Sequence, residues 1–203
     1  MVKEILSIAS GLLQILAYIP YIRAILRKQT KPAKASWMIW AVLNSLTFTG
    51  MYAAGTVNPQ ILAAVIGTWA IAGFALKFGI PGWTKLDKFC LGGAIFGIAI
   101  WQIFKNPTLE IVMSLSMTML GSIPTFRSMW EDPSREDKLA WTICLLSSIC
   151  AVIAIPHWKI LASVSQPLTY LALQSTVMYL LFVRPQFRNN TVVEEARNAT
   201  SGS

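Results

Sequence analysis

The chain predicts an all-α membrane protein of seven transmembrane helices in a 3+1+3 arrangement, N-terminus outside and C-terminus cytoplasmic. Three observations carry this. First, 55% of the 203 residues are hydrophobic and only 13% are charged, too few charges to clothe a soluble protein. Second, the apolar stretches are continuous and separated by short charged loops, the pattern of spanning helices rather than of an alternating barrel. Third, Leu16, Ile19, Pro20, Arg23, Lys34, Trp37 and Ile39 recur 104 positions later as Leu120, Ile123, Pro124, Arg127, Lys138, Trp141 and Ile143. A matched Pro, Arg, Lys and Trp at one offset marks an internal repeat.

The apolar runs cover residues 5–22, 35–76, 89–104, 111–126, 139–156 and 160–183. A spanning helix needs about 20 mostly apolar residues. The second run is too long for one span, and Gly55, Asn58 and Pro59 supply a turn in its middle. Seven spans result. The first stays attached, because Glu4 offsets Lys3 and a basic cluster follows the apolar run, unlike a cleaved signal peptide.

The net charge of +8 reflects topology. Every Lys and Arg except Lys3, Lys105 and Lys159 falls on one side of the predicted spans. The positive-inside rule makes that side cytoplasmic, so the basic excess is no nucleic-acid footprint. The threonine sequons opened by Asn189 and Asn198 then face the cytoplasm, where they are not glycosylated.

An odd number of spans per repeat, with one linker span, sets the two copies parallel. The expected division is residues 1–83 for the first three-helix repeat, 84–107 for the linker helix, 108–188 for the second repeat and 189–203 for a disordered cytoplasmic tail. Pro20 and Pro124 sit late in the first helix of each copy, where a proline removes a backbone hydrogen bond and can act as a hinge.

This layout, with Pro20-Tyr21, a basic stretch from Arg23 to Lys34 and then Ser36-Trp37, resembles the PQ-loop and SWEET-like transporter superfamily. The second copy reads Pro124-Thr125, Arg127 to Lys138, Ala140-Trp141, and Asn44 resembles the small polar position of the second helix. Tyr21 and Thr125 stand where the family's glutamine would be. The resemblance implies transport of a sugar, amino acid or vitamin-like solute by alternating access, with the site between the two three-helix units.

Hydrogen-bonding side chains at membrane depth are costly against lipid and therefore mark candidate sites. The substrate-binding candidates are Gln14, Tyr18, Asn44, Trp69, Ser148, Tyr170 and Gln174, with Thr47, Thr68, Thr118 and Ser122 as further polar positions. The repeat pairs Gln14 with Thr118, Tyr18 with Ser122 and Asn44 with Ser148. Trp69 is read as a wall on which a flat solute stacks. Trp37, Trp83, Trp130, Trp141 and Trp158 are read as interfacial anchors.

No acidic residue falls in the middle of a predicted span, so a facilitator of a neutral polar solute is expected. The cysteines Cys90, Cys144 and Cys150 have no metal or disulfide spacing, and His157 lies in an outer loop. No nucleophile–base pair is visible, so neither an enzyme nor a cofactor or metal is expected. The expected partners are the solute and the bilayer, without nucleic acid; a homo-oligomer stays open. The short loops favour a bacterial inner membrane over an organelle. The alternative function is a non-transporting seven-helix sorting or accessory receptor of the same architecture.

Overall fold

A computed structural model describes residues 1–79 and 85–185 of the chain. Trp83, the tail 189–203 and the side chains of Cys90 and Pro124 lie outside that description. The described chain is helical: α1 (Val2–Leu26), α2 (Lys34–Ala53), α3 (Pro59–Phe78), α4 (Lys85–Phe104), α5 (Pro107–Gly121), α6 (Ile123–Glu131), α7 (Lys138–Ile153) and α8 (Leu161–Met178). Residues Tyr179–Val183 continue α8 in a wider turn.

Local chemistry sets the helix starts. Asn58 Oδ1 accepts the Ile61 N–H at 2.9 Å and Asn106 Oδ1 accepts the Leu109 N–H at 3.2 Å. In each case a proline follows as the first helical residue, where its missing N–H costs nothing. Asp137 caps α7 through the Ala140 N–H at 2.7 Å. Gly55 closes α2 at φ +67°, a left-handed conformation that glycine adopts without strain.

The side chains are distributed in the inverse of a soluble bundle. On α1, Ile5, Ile8, Leu12, Leu16 and Ile19 point outward, while Ser10, Gln14, Tyr18 and Tyr21 are buried. Soluble monomers rarely expose such continuous apolar faces. Three helical segments, Val2–Leu26, Pro59–Phe78 and Pro107–Glu131, are long and apolar enough to cross a membrane. The chain is a membrane protein in that coarse sense.

Six helical rods pack in a ring. α3 lies between α1 and α2, and α8 lies between α5 and α7. The ring closes where α1 meets α7 and α2 meets α5, and α4 packs on the outside against α5 and α2. Exchanging α1 with α5, α2 with α7 and α3 with α8 reproduces the same pattern of neighbours. Small residues permit the tightest crossings: a Cβ on Gly11 would collide with Pro59, and one on Gly67 would overlap the ring of Tyr18.

The two proline positions differ in backbone. α1 runs unbroken through Pro20, whereas in the second copy the helix is interrupted at Ser122 and restarts just before Pro124. The Ser122 hydroxyl turns back to the Thr118 carbonyl at 2.8 Å. A further proline, Pro167, lies buried inside α8.

Candidate functional site

Within the ring lies a partly open cavity of about 90 Å³. Its walls carry Gln14 and Tyr18 from α1, Asn44 from α2, Thr68 from α3, Cys144 from α7, and Tyr170 and Gln174 from α8. Five of the seven substrate-binding candidates therefore share one cavity. Hydrogen bonds cross between the copies there. The Tyr170 hydroxyl donates to Asn44 Oδ1 at 2.6 Å, and Asn44 Nδ2 reaches Thr68 Oγ1 at 3.4 Å. Gln14 Nε2 lies 3.1 Å from the Tyr18 hydroxyl and 3.6 Å from Cys144 Sγ. Each polar group costs free energy to bury and is held by its neighbour, which fixes its orientation.

The remaining two candidates lie elsewhere. Trp69 points out of the ring, 45% exposed, with its indole N–H donating to Ser45 Oγ at 3.0 Å. It cannot form a wall of the cavity. The aromatic walls are instead Trp37, Trp40 and Trp141, together with Phe126. Trp37 and Trp141 occupy equivalent positions in the two copies, and reading them as interfacial anchors is corrected by their place in the cavity lining. Trp37 and Trp40 pack edge to face with centroids 5.1 Å apart, which holds both rings in place.

Ser148 belongs to a second polar layer beside the cavity. Its hydroxyl bonds Gln174 Oε1, and Gln60 Nε2 donates to Ser147 Oγ at 3.0 Å and to Ser148 Oγ at 2.9 Å. Gln166 Nε2 donates to Gln60 Oε1 at 3.0 Å, and Asn58 Nδ2 donates to Gln166 Oε1 at 2.7 Å. Ser147 completes the layer by donating to the Ser10 carbonyl at 2.7 Å. Gln60, Gln166, Ser147 and Ser148 are fully buried. Asn58 and Ser10 in turn face a larger, open cavity of about 450 Å³, framed by the start of α1, the α2–α3 turn and the α7–α8 loop with His157. The layer thus stands between the larger cavity and the smaller one.

Sequence reasoning missed Gln60 and Gln166. Both sit one residue from a proline, Pro59 and Pro167, in stretches that read as turn or helix start. Their signal was available: a primary amide inside an apolar run needs up to four hydrogen-bond partners.

Glu136, in the loop between α6 and α7, accepts the indole N–H of Trp141 at 3.0 Å. Burial pushes its carboxyl up to about 7 from 4.5, and neighbouring Asp137 adds to the rise; the Trp141 bond and the nearby Tyr21 hydroxyl only partly offset it. The folded chain therefore holds this proton where the unfolded chain has released it. Stability should fall as pH rises from about 4.5 to about 7 and then level off. Thermal melts of Glu136→Gln should lose that slope, and an unchanged slope would show that another group causes it.

Glu110 is the acidic group to note within the helices. It is buried against Gly50 between α5 and α2, with neither oxygen hydrogen-bonded, and it does not line the cavity within the ring. Among the described residues no group of three or more His, Cys, Asp or Glu could hold a metal ion.

No family model, curated protein or solved structure matches the chain.

Proposed function

We propose that the chain is a multi-pass membrane transporter that moves a small neutral polar solute by alternating access between two parallel three-helix units. The units are residues 1–83 and 108–188, joined by the linker helix in 84–107, with the N-terminus outside and the C-terminus cytoplasmic. The observation that carries this reading is the cavity within the ring, lined from both copies. Its polar contacts join α8 to α2 and α1 to α7, so a solute held there touches both copies. Rocking one unit against the other would break those contacts on one side at a time.

The exchange symmetry of the ring supports the duplication, and the resemblance to PQ-loop and SWEET-like transporters supplies the mechanism it fits. The cavity is smaller than the roughly 300–1,000 Å³ typical of ligand sites, so solute entry requires the lining helices to move apart. Among the described residues its lining contains no Lys, Arg, Asp or Glu. A neutral solute moved without coupling through a cavity carboxylate fits that chemistry. A receptor for an acidic peptide end would need cations there, which weighs against the sorting-receptor alternative. The cell membrane of a bacterium remains the proposed location.

Purified protein in liposomes should take up a labelled neutral solute from a panel of sugars, amino acids and vitamins. Asn44→Ala and Gln174→Ala should lower uptake at least about tenfold while leaving the protein folded, because each strands a buried partner worth roughly 1–3 kcal/mol. Uptake at the wild-type rate by both variants would remove them from the site. Peptide binding with no solute movement would favour the receptor.

A further inference from the structure

We infer that the solute is a planar, uncharged ring bearing an amide edge rather than a hydroxyl-rich sugar; this rests on the transport reading and narrows its substrate. Two residues of the cavity wall each carry a buried polar atom without a hydrogen-bond partner: Gln14 Oε1 and Trp40 Nε1. Gln14 and Trp40 are only 3% and 8% exposed. Native proteins leave few such groups, and two on the residues of one cavity wall point to groups that a ligand could satisfy once the wall moves.

Their chemistry is complementary. An indole N–H can only donate, so the ligand must present an acceptor to Trp40. The Gln14 amide nitrogen is already engaged by Tyr18 and Cys144, which leaves its carbonyl oxygen needing a donor. A donor and an acceptor on one small rigid body are what a cyclic amide offers. The other hydroxyls nearby are largely spent: Thr68, Thr118 and Ser122 each bond a carbonyl of their own helix. A hexose would bring five hydroxyls against a wall whose side chains already bond one another or their own helix, and several would be stripped of water without a partner. A flat ring instead presents its faces to the indoles of Trp37, Trp40 and Trp141.

Size sets a condition. A cavity of about 150 Å³ accommodates benzene. The 90 Å³ here is smaller, so a six-membered ring enters only with movement of the lining helices or side chains.

The test uses 2-pyridone, a planar ring with one N–H donor and one carbonyl acceptor, in equilibrium dialysis against the purified full chain. Saturable binding is expected, with glucose and glycine failing to compete. N-Methyl-2-pyridone, which lacks the donor, should bind at least about tenfold more weakly. That ligand-side comparison needs no altered protein. In Gln14→Met the difference between the two pyridones should vanish, as the donor's partner is gone, whereas in Trp40→Phe both should weaken together. Competition by glucose, or equal binding of the two pyridones, overturns the inference. If a sugar is carried into liposomes and 2-pyridone does not bind, the inference fails and the transport reading stands. If 2-pyridone binds and nothing is carried, the site stands and the transport reading fails.

Discussion

Gly67→Ala should destabilise the folded chain by about 1–3 kcal/mol and abolish solute binding, because its new methyl group occupies the space of the Tyr18 ring. The ring is 8% exposed and packed into the cluster that holds Tyr21, Trp37, Trp40 and Ile71, so it has little room to retreat. Displacing it breaks the Gln14–Tyr18 contact of 3.1 Å and frees the Gln14 amide to turn. Thermal melts in detergent report the first effect and solute binding the second. Combining Gly67→Ala with Tyr18→Ala separates collision from other causes. The pair should be no less stable than Tyr18→Ala alone, since the clashing partner is gone, and simple additivity would refute the overlap.

Gln60→Leu is expected to have the second large effect. The side chain is fully buried and takes part in three hydrogen bonds, to Ser147, Ser148 and from Gln166. Leucine nearly matches its volume but leaves Gln166 Nε2 without its acceptor. Orphaned buried groups cost about 1–3 kcal/mol each, although hydrogen bonds between membrane helices average nearer 0.6 kcal/mol. A loss of about 2 kcal/mol is the balance of the two. The functional consequence is separate. With the layer broken, the cavity within the ring should join the larger cavity on the α7–α8 side. Solute exchange should then become faster from that side while the folded fraction changes little at low temperature. A stability loss with unchanged access would reduce the layer to interhelical glue.

Much of this arrangement was legible in the sequence because membrane helices advertise themselves by length and charge. The split of the long apolar run at Asn58-Pro59 follows from capping chemistry that is local. The repeat offset placed Gln14, Tyr18, Asn44 and their counterparts on related helices before any packing was known. Which face of a helix turns inward was not legible where the helix is apolar all round. Trp69 and Trp40 both lie deep in apolar stretches, and only the packing of α3 against α1 and α2 turns Trp69 outward and leaves Trp40 lining the cavity. Trp37 and Trp141 sit near helix starts, the usual place for an interfacial anchor. They become cavity walls because Tyr21 packs against Trp37, with ring centroids 5.1 Å apart, and Glu136 takes the Trp141 N–H. Gln60 and Gln166 come from different copies but do not share an equivalent position, so comparing the copies could not pair them.

Alternating access at the cavity within the ring is tested most directly by the reactivity of Cys144, a buried thiol in its wall. With Cys90 and Cys150 replaced by alanine, a membrane-impermeant maleimide is applied to oriented vesicles from one face and then from the other. Cys144 should be modified slowly from both faces, be protected from both by saturating solute, and in Gln60→Leu react faster from the side of the α7–α8 loop. Modification confined to one face, in the wild-type chain and in the variant alike, would contradict alternating access.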